Sequence, residues 1–130
     1  MRGESQNWIV EEFPEIMSEC RLGYSFGNGW NDLVREFLTK AKMIDPDLKV
    51  LQIKEKFGGI RIYYGVNVEV NTEEIRKLCR DAEDKSYLTC EFCGKPGELR
   101  DTDWQKTACD LHYQKYLEKK SWLDIDEETE

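Results

Sequence analysis

The sequence has a single histidine and none of the short motifs that mark common catalytic sites. A Walker motif, a dinucleotide-binding glycine pattern, a GxSxG nucleophile turn and an HExxH metal motif are all missing. With 27 acidic residues, many carboxylate pairs exist, but none stands out as an acid and base pair. We therefore expect no enzyme, and an unrecognised enzyme ranks third among the functional hypotheses below.

Long apolar runs and export signals are missing as well. No stretch of about 18 or more apolar residues occurs, so no membrane span is expected. The first residues, MRGESQNWIVEEF, carry acids where a signal or transit peptide would be apolar or arginine-rich. These absences predict a soluble cytoplasmic protein whose five cysteines stay reduced, which favours metal binding over disulfides.

The net charge of −8 arises at the two ends of the chain. Residues 1–30 hold five acids and two bases, and residues 124–130 hold five acids and no base. Residues 31–123 are neutral, with seventeen residues of each sign. The overall acidity therefore does not by itself exclude a nucleic-acid partner.

Apolar periodicity predicts helices in the first third of the chain. Residues 7–20 follow a helical pattern that Pro14 interrupts, which predicts a short helix, a kink or two helical pieces. A glycine-rich loop, GYSFGNGW at 23–30, comes next. The clearest helical pattern follows in residues 30–44.

Residues 48–66 alternate between apolar and polar side chains and are divided by Gly58 and Gly59, which predicts a β-hairpin with this dipeptide as its turn. The alternation assigns the side chains to two faces. The residues predicted to face inward are Leu51, Ile53, Phe57, Ile60, Ile62 and Tyr64. The residues predicted to share the exposed face, and to be candidates for partner binding, are Lys54, Lys56, Arg61 and Tyr63.

A further helix is predicted after the hairpin. Asn71 and Glu74 have the spacing of a capping box, and the helical pattern continues to about Ser86. Two or three helices packed on the hairpin would make residues 1–87 an α+β layer.

The clearest candidate site is a metal centre near the C-terminus. Cys90, Cys93, Cys109 and His112 are spaced C-x2-C-x15-C-x2-H, a pattern that brings two short ligand pairs around one tetrahedral ion. Gly94 directly after the second cysteine suits a knuckle turn. A redox pair of the first two cysteines is disfavoured, because nothing nearby resembles a thioredoxin unit. We predict one Zn²⁺ per chain.

Four protein ligands would leave no coordination position for an activated water, so the zinc is predicted to be structural. Knuckle, short hairpin and ligand-bearing helix follow one another within residues 88–120, and this order resembles a treble-clef zinc finger or zinc ribbon. Some treble-clef nucleases use a histidine base, but the only histidine here is assigned to the metal. We expect the zinc module at 88–120 to pack on the layer as one compact unit, with residues 121–130 as an acidic tail.

The segments VLQIKEKFGGIRIYY, CEFCGKPGELR and TACDLH together resemble a group of short bacterial and bacteriophage proteins. In that group a KEKFGG hairpin precedes a CxxCGxPG zinc module, and the likeness spans roughly residues 24–115. The resemblance implies no catalytic activity. A phage origin would favour a protein that inhibits or redirects a host or defence complex.

Two binding hypotheses remain beside the enzyme. The first and favoured one is a non-enzymatic, zinc-stabilised interaction protein that uses exposed aromatic residues and acidic ends against a protein partner. The alternative is nucleic-acid binding through the exposed hairpin face together with the zinc module. The zinc-module residues in that alternative are Lys95, Arg100 and Lys106. The sequence does not predict an oligomeric state.

Overall fold

The computed structural model describes residues 6–65 and 72–123 and has a mixed α+β fold. Within these ranges, the four helices are α1 (Trp8–Glu12), α2 (Asn31–Ile44), α3 (Thr72–Ser86) and α4 (Asp110–Lys119). The five strands of the described residues are β1 (Tyr24–Ser25), β2 (Lys49–Lys56), β3 (Gly59–Gly65), β4 (Glu98–Arg100) and β5 (Lys106–Ala108). A 3₁₀ turn, Asn28–Trp30, leads into α2.

The strands form two sheets. β1, β2 and β3 lie side by side in that order, with β1 parallel and β3 antiparallel to β2. β4 and β5 form a separate antiparallel pair. The helix predicted for residues 7–20 ends at Glu12, before Pro14, so the short-helix alternative is the one observed.

Helix α2 packs against α3, and α3 packs against β3. The main core is formed by the apolar stripes of these elements, because an amphipathic helix is stable when its apolar side is buried. Trp30, Leu38, Ile53 and Ile60 are among its fully buried side chains. The sequence-based prediction of a mixed α+β fold is confirmed, while the N-cap candidate Asn71 lies outside the described residues.

The turn of the main hairpin lies one residue earlier than predicted. Phe57 and Gly58 occupy the two turn positions with φ of 56° and 86°, and Lys56 pairs with Gly59. Gly59 is required in the strand instead, because a Cβ there would lie 2.5 Å from the ring of Tyr87. The prediction that Phe57 faces inward is therefore wrong, and its side chain is 61% exposed.

The inward face of the hairpin is otherwise close to the prediction. Moving the turn by one residue shifts the cross-strand pairs by two, which keeps the alternation of faces, so Ile53 and Ile60 are buried as predicted. A bulge between Val50 and Gln52 reverses the alternation beyond it. Val50 consequently takes the buried position that had been predicted for Leu51, which is half-buried.

Candidate metal centre

The first two candidate ligands lie on a tight knuckle. The amide of Gly94 donates to the carbonyl oxygen of Cys90 at 2.9 Å, and the amide of Cys90 donates to the carbonyl oxygen of Lys95 at 2.8 Å. Gly94 has φ of 84°, a conformation that glycine adopts without steric cost. The knuckle glycine predicted from the sequence therefore has a structural reason, because the turn brings Cys93 back beside Cys90.

The second pair of ligands lies at the start of α4. Cys109 is the extended residue that precedes the helix, and its carbonyl oxygen accepts the amide of Tyr113 at 2.9 Å. His112 lies within the first helical turn, three residues after the cysteine. Residues at this spacing share one side of a helix, so both side chains point toward the knuckle.

The four side chains converge on one point. The three Sγ atoms and Nδ1 of His112 all lie within 4.8 Å of one another. Sγ of Cys93 lies 3.8 Å from Sγ of Cys109, and Sγ of Cys90 lies 3.6 Å from Nδ1 of the histidine. A tetrahedral ion with Zn–S bonds of about 2.3 Å would separate two sulfurs by about 3.8 Å. The cluster therefore has the size and donor atoms to hold a metal ion.

Burial affects the protonation of the three thiols. It raises the pKa of Cys90 and of Cys93, because a thiolate loses solvation inside the protein. Burial also opposes ionisation of Cys109, but backbone amide donors from His112 and Leu111, with the neighbouring thiols, outweigh it and lower its pKa. A bound cation would compensate the buried thiolates, which fits a metal site better than three free thiols.

Stacked aromatic rings adjoin the histidine of the cluster. Phe92 lies between the two knuckle cysteines in the sequence. Its ring stacks on that of His112, with ring centroids 5.3 Å apart. Trp122 stacks on Phe92 at 5.7 Å and on Tyr116 at 4.3 Å. These rings belong to a second, smaller core, whose buried residues are Cys90, Phe92, Ala108, Cys109 and Trp122. The prediction that an acidic tail begins at residue 121 is therefore wrong for Trp122. Residues 124–130 lie outside the described part of the chain.

No family model, no curated protein and no solved structure matches this chain. The candidate metal centre is thus supported by its own geometry. No helix in the described ranges has both the length and the apolar character needed to cross a membrane.

The glycine-rich loop packs against the metal knuckle. The amide of Gly29 donates to the carbonyl oxygen of Glu91 at 2.8 Å. A Cβ on Gly29 would overlap the carbonyl oxygen of Cys90 and would lie 2.5 Å from the amide nitrogen of Gly94. Nε1 of Trp30 also donates to the carbonyl oxygen of Thr89 at 2.8 Å. The loop therefore joins the layer to the knuckle, a role that its sequence pattern alone does not indicate.

A buried ion network forms a second connection between the layer and residues 88–123, which carry the candidate ligands and are called the metal module below. Glu91 is fully buried, and its carboxylate accepts Nζ of Lys106 at 3.1 Å and the amide of Gly27 at 2.8 Å. The same Nζ lies 3.2 Å from the carboxylate of Glu55 on β2, which also accepts the amide of Gly58 at 2.8 Å. Sequence reasoning missed this network, because the three charged residues are far apart along the chain.

Two of the four hairpin residues predicted to share an exposed face are exposed, and two are half-buried. Arg61 pairs with Glu83 of α3, and Lys54 is half-buried. Lys56 and Tyr63 are exposed. The prediction of a shared exposed face is therefore only partly correct.

The basic residues suggested in the zinc module are also engaged, apart from Lys95, which is exposed. Arg100 donates to the carbonyl oxygen of Ala108 and pairs with Asp110 at 2.8 Å. Lys106 is buried between two carboxylates. Nucleic-acid binding through Arg100 and Lys106 would require these contacts to break.

Proposed function

We propose that the cluster of Cys90, Cys93, Cys109 and His112 is a structural Zn²⁺ site, and that the protein is a zinc-stabilised, non-enzymatic interaction protein. The supporting observation is the convergence of four ligand atoms on one site, at which Cys90 and His112 are fully buried. Three sulfurs and one imidazole nitrogen are a donor set that zinc binds tetrahedrally. Such a set fills the coordination sphere and leaves no position for a reactive water.

The ion would link parts of the chain that share only a small hydrophobic core. Its ligands come from the knuckle and from the first turn of α4, which are separated by the short strands β4 and β5. The second core contains five buried apolar residues, and two of them are the ligands Cys90 and Cys109. A metal that binds all four residues would supply most of the cohesion of this module.

Acid–base catalysis has little support among the described residues. Nδ1 of His112, the only imidazole, lies 3.2 Å from Sγ of Cys109 and is directed at the cluster. A metal-bound imidazole cannot accept a proton at that atom. Binding without turnover is therefore the favoured activity.

A protein partner fits the charge distribution better than a nucleic acid. The chain has a net charge of −8, and Arg61, Arg100 and Lys106 are each paired with carboxylates. Phosphate binding needs cations that are free to replace counterions. The narrower proposal, a phage-encoded modulator of a host or defence complex, draws its support from the resemblance to KEKFGG-hairpin proteins alone.

Elemental analysis and a stoichiometry experiment test the proposal. Protein purified without added metal should contain one zinc per chain. A partner captured from lysate in the presence of nuclease should respond to the purified protein with an effect that saturates near equimolar amounts. A folded, metal-free protein would overturn the zinc assignment. An effect that persists at concentrations far below those of the target, with many turnovers, would identify an enzyme.

A further inference from the structure

Two hairpin tips with exposed aromatic side chains lie next to each other in the structure. The groove between residues 55–57, at the tip of the main hairpin, and the loop 102–105 has a volume of about 520 Å³. It is called the hairpin-tip groove below. Phe57 is 61% exposed and Trp104 is 64% exposed. Trp and other large aromatic side chains contribute much of the binding energy at protein interfaces.

Phe57 has no evident role in folding at this position. Its φ of 56° is one that residues with a Cβ adopt at a cost, and hairpin turns of this type favour Asn, Asp or Gly there. Its ring lies mainly in solvent rather than in the core. A bulky apolar residue that neither favours the turn nor packs in the core indicates a role in binding rather than in folding.

The two tips are held in fixed relative positions by buried contacts. Oγ1 of Thr107 donates to the carbonyl oxygen of Gly58 at 2.7 Å, and the side chain of Leu99 packs directly on Gly58. Lys106 bridges Glu55 and Glu91 from the neighbouring strand. A rigid pair of aromatic side chains loses little conformational freedom when a partner binds.

The charges around the Trp104 end of the groove favour a basic occupant. Asp101 and Asp103 are exposed, and no ion pair to either is found within the described ranges. Nε1 of Trp122 donates to Oγ1 of Thr102 at 2.9 Å, so Trp122 contacts this loop. The segment DIDEETE, with five carboxylates, continues from there in the sequence.

The opposite end of the groove carries one cation. Nζ of Lys56 lies 5.6 Å from the centroid of the Phe57 ring, within the range of a cation–π contact. Glu55 is already paired with Lys106. The carboxylates of Asp103, which lines the groove, and of Asp101, on the same loop, therefore stand against the single ammonium of Lys56 in the lining.

We infer that the hairpin-tip groove docks a protein segment in which an apolar side chain adjoins a basic one. The apolar side chain would insert between Phe57 and Trp104, and the basic side chain would pair with Asp101 and Asp103 over the indole ring. The inference rests on the proposed interaction function and names the surface that performs it. The acidic tail would speed the encounter by attracting the basic segment.

The test uses a phage-displayed library of random dodecapeptides panned on the full-length, zinc-loaded protein. The enriched peptides should contain a basic residue next to an apolar one. Fluorescein-labelled copies should bind wild type saturably, and Phe57→Ala and Trp104→Ala should each weaken binding by about tenfold or more. Leu22→Ala, which removes another exposed apolar side chain, should change affinity by less than about twofold.

Charge is tested separately with Asp101→Asn/Asp103→Asn, which should weaken binding and reduce its dependence on salt. Unchanged zinc content and thermal midpoint would show that each variant is folded. Enriched peptides without basic residues, or no enrichment at all, would overturn the inference. Saturable peptide binding that ignores both aromatic substitutions would also overturn it, while leaving the proposed interaction function intact.

Two other occupants have their own readouts. Labelled oligothymidine that competes with the peptide and binds wild type more tightly would assign the groove to single-stranded nucleic acid. A dimer seen in sedimentation velocity and lost in Trp104→Ala would assign it to a second copy of the chain. Either result would replace the peptide segment as the occupant.

Discussion

The layer formed by residues 6–86 and the metal module formed by residues 88–123 are stabilised in different ways. Among the described residues, the core of the layer contains seventeen buried apolar residues. The core of the module contains five, and its two strands are only three residues long each. A unit of fewer than about 40 residues seldom folds on apolar burial alone, so the proposed metal site predicts that the second region needs its ion while the first needs only its packing.

The two regions are nevertheless joined by specific polar and close backbone contacts. Gly29 packs on the knuckle, and Lys106 connects Glu55 of β2 to Glu91 of the knuckle. Removing the metal should therefore lower the stability of the layer. Breaking the contacts of Gly29 or Lys106 should lower the stability of the metal module. The predictions below test this dependence in order of decreasing effect.

Removing the metal should have the largest effect. Zinc binding contributes about 10–16 kcal/mol to the folding of small zinc-finger peptides, and a module with so small a core has little to replace it. Cys90→Ser/Cys93→Ser, or chelation, should abolish the dispersed amide resonances of β4, β5 and α4 while the helices of the layer persist. Heteronuclear NMR and elemental analysis would measure both.

Cys79→Ser is the matched control, because Cys79 lies on α3, outside the cluster. That variant should keep one zinc and the wild-type spectrum. Metal-free protein with an unchanged spectrum for residues 98–119 would show that packing holds the module after all.

Breaking the buried ion network should rank second. Lys106→Met would leave the buried carboxylates of Glu91 and Glu55 without their cation, a change that typically costs about 3–5 kcal/mol. Urea unfolding should show the loss as a lower midpoint. Lys95→Met, at an exposed position, should change stability by less than about 0.5 kcal/mol.

A triple variant separates the charge from the packing at this site. Lys106→Met combined with Glu55→Gln and Glu91→Gln removes the uncompensated charges and should recover part of the stability. If the triple variant is no more stable than Lys106→Met, the stem of the lysine matters more than its charge.

Filling the space at Gly29 should have an intermediate effect. Gly29→Ala places a methyl group against backbone atoms of Cys90, Glu91 and Gly94, which cannot move without distorting the knuckle. We expect a loss of about 1–3 kcal/mol and weaker metal retention against a chelator. Gly65→Ala is the control, since its nearest atom would be 4.0 Å away. Equal behaviour of the two variants would refute the close joint.

The comparison also explains which features the sequence could predict. The metal ligands were predicted because their chemistry depends on short, local spacing that reads directly from the chain. The inward positions of Ile53 and Ile60 were predicted for the same reason, since alternation is a local pattern, whereas the bulge that buries Val50 in place of Leu51 was not. The zinc identity and the partner class stay predictions.

The errors arose where distant residues decide a local structure. Gly59 could not be assigned to a strand without knowing that Tyr87, far along the chain, packs on it. The burial of Lys106 depends on Glu55 and Glu91, and no local pattern signals their contact. A charged residue between two metal ligands, as Glu91 is, was the one available hint.

The smallest expected effect concerns the turn of the main hairpin and has the opposite sign. Phe57→Asn should stabilise the protein by about 0.5–1 kcal/mol, because asparagine adopts positive φ more readily and Asn-Gly is a preferred turn of this type. Thermal unfolding should show a midpoint a few degrees higher. Phe57→Val is the control, since a β-branched residue tolerates positive φ least, and it should destabilise the protein. The same Asn variant should bind the basic peptides less well, so that stability rises as affinity falls. A destabilised Phe57→Asn would mean that the exposed ring contributes to the fold, and its exposure would then no longer support a binding surface at the hairpin tips.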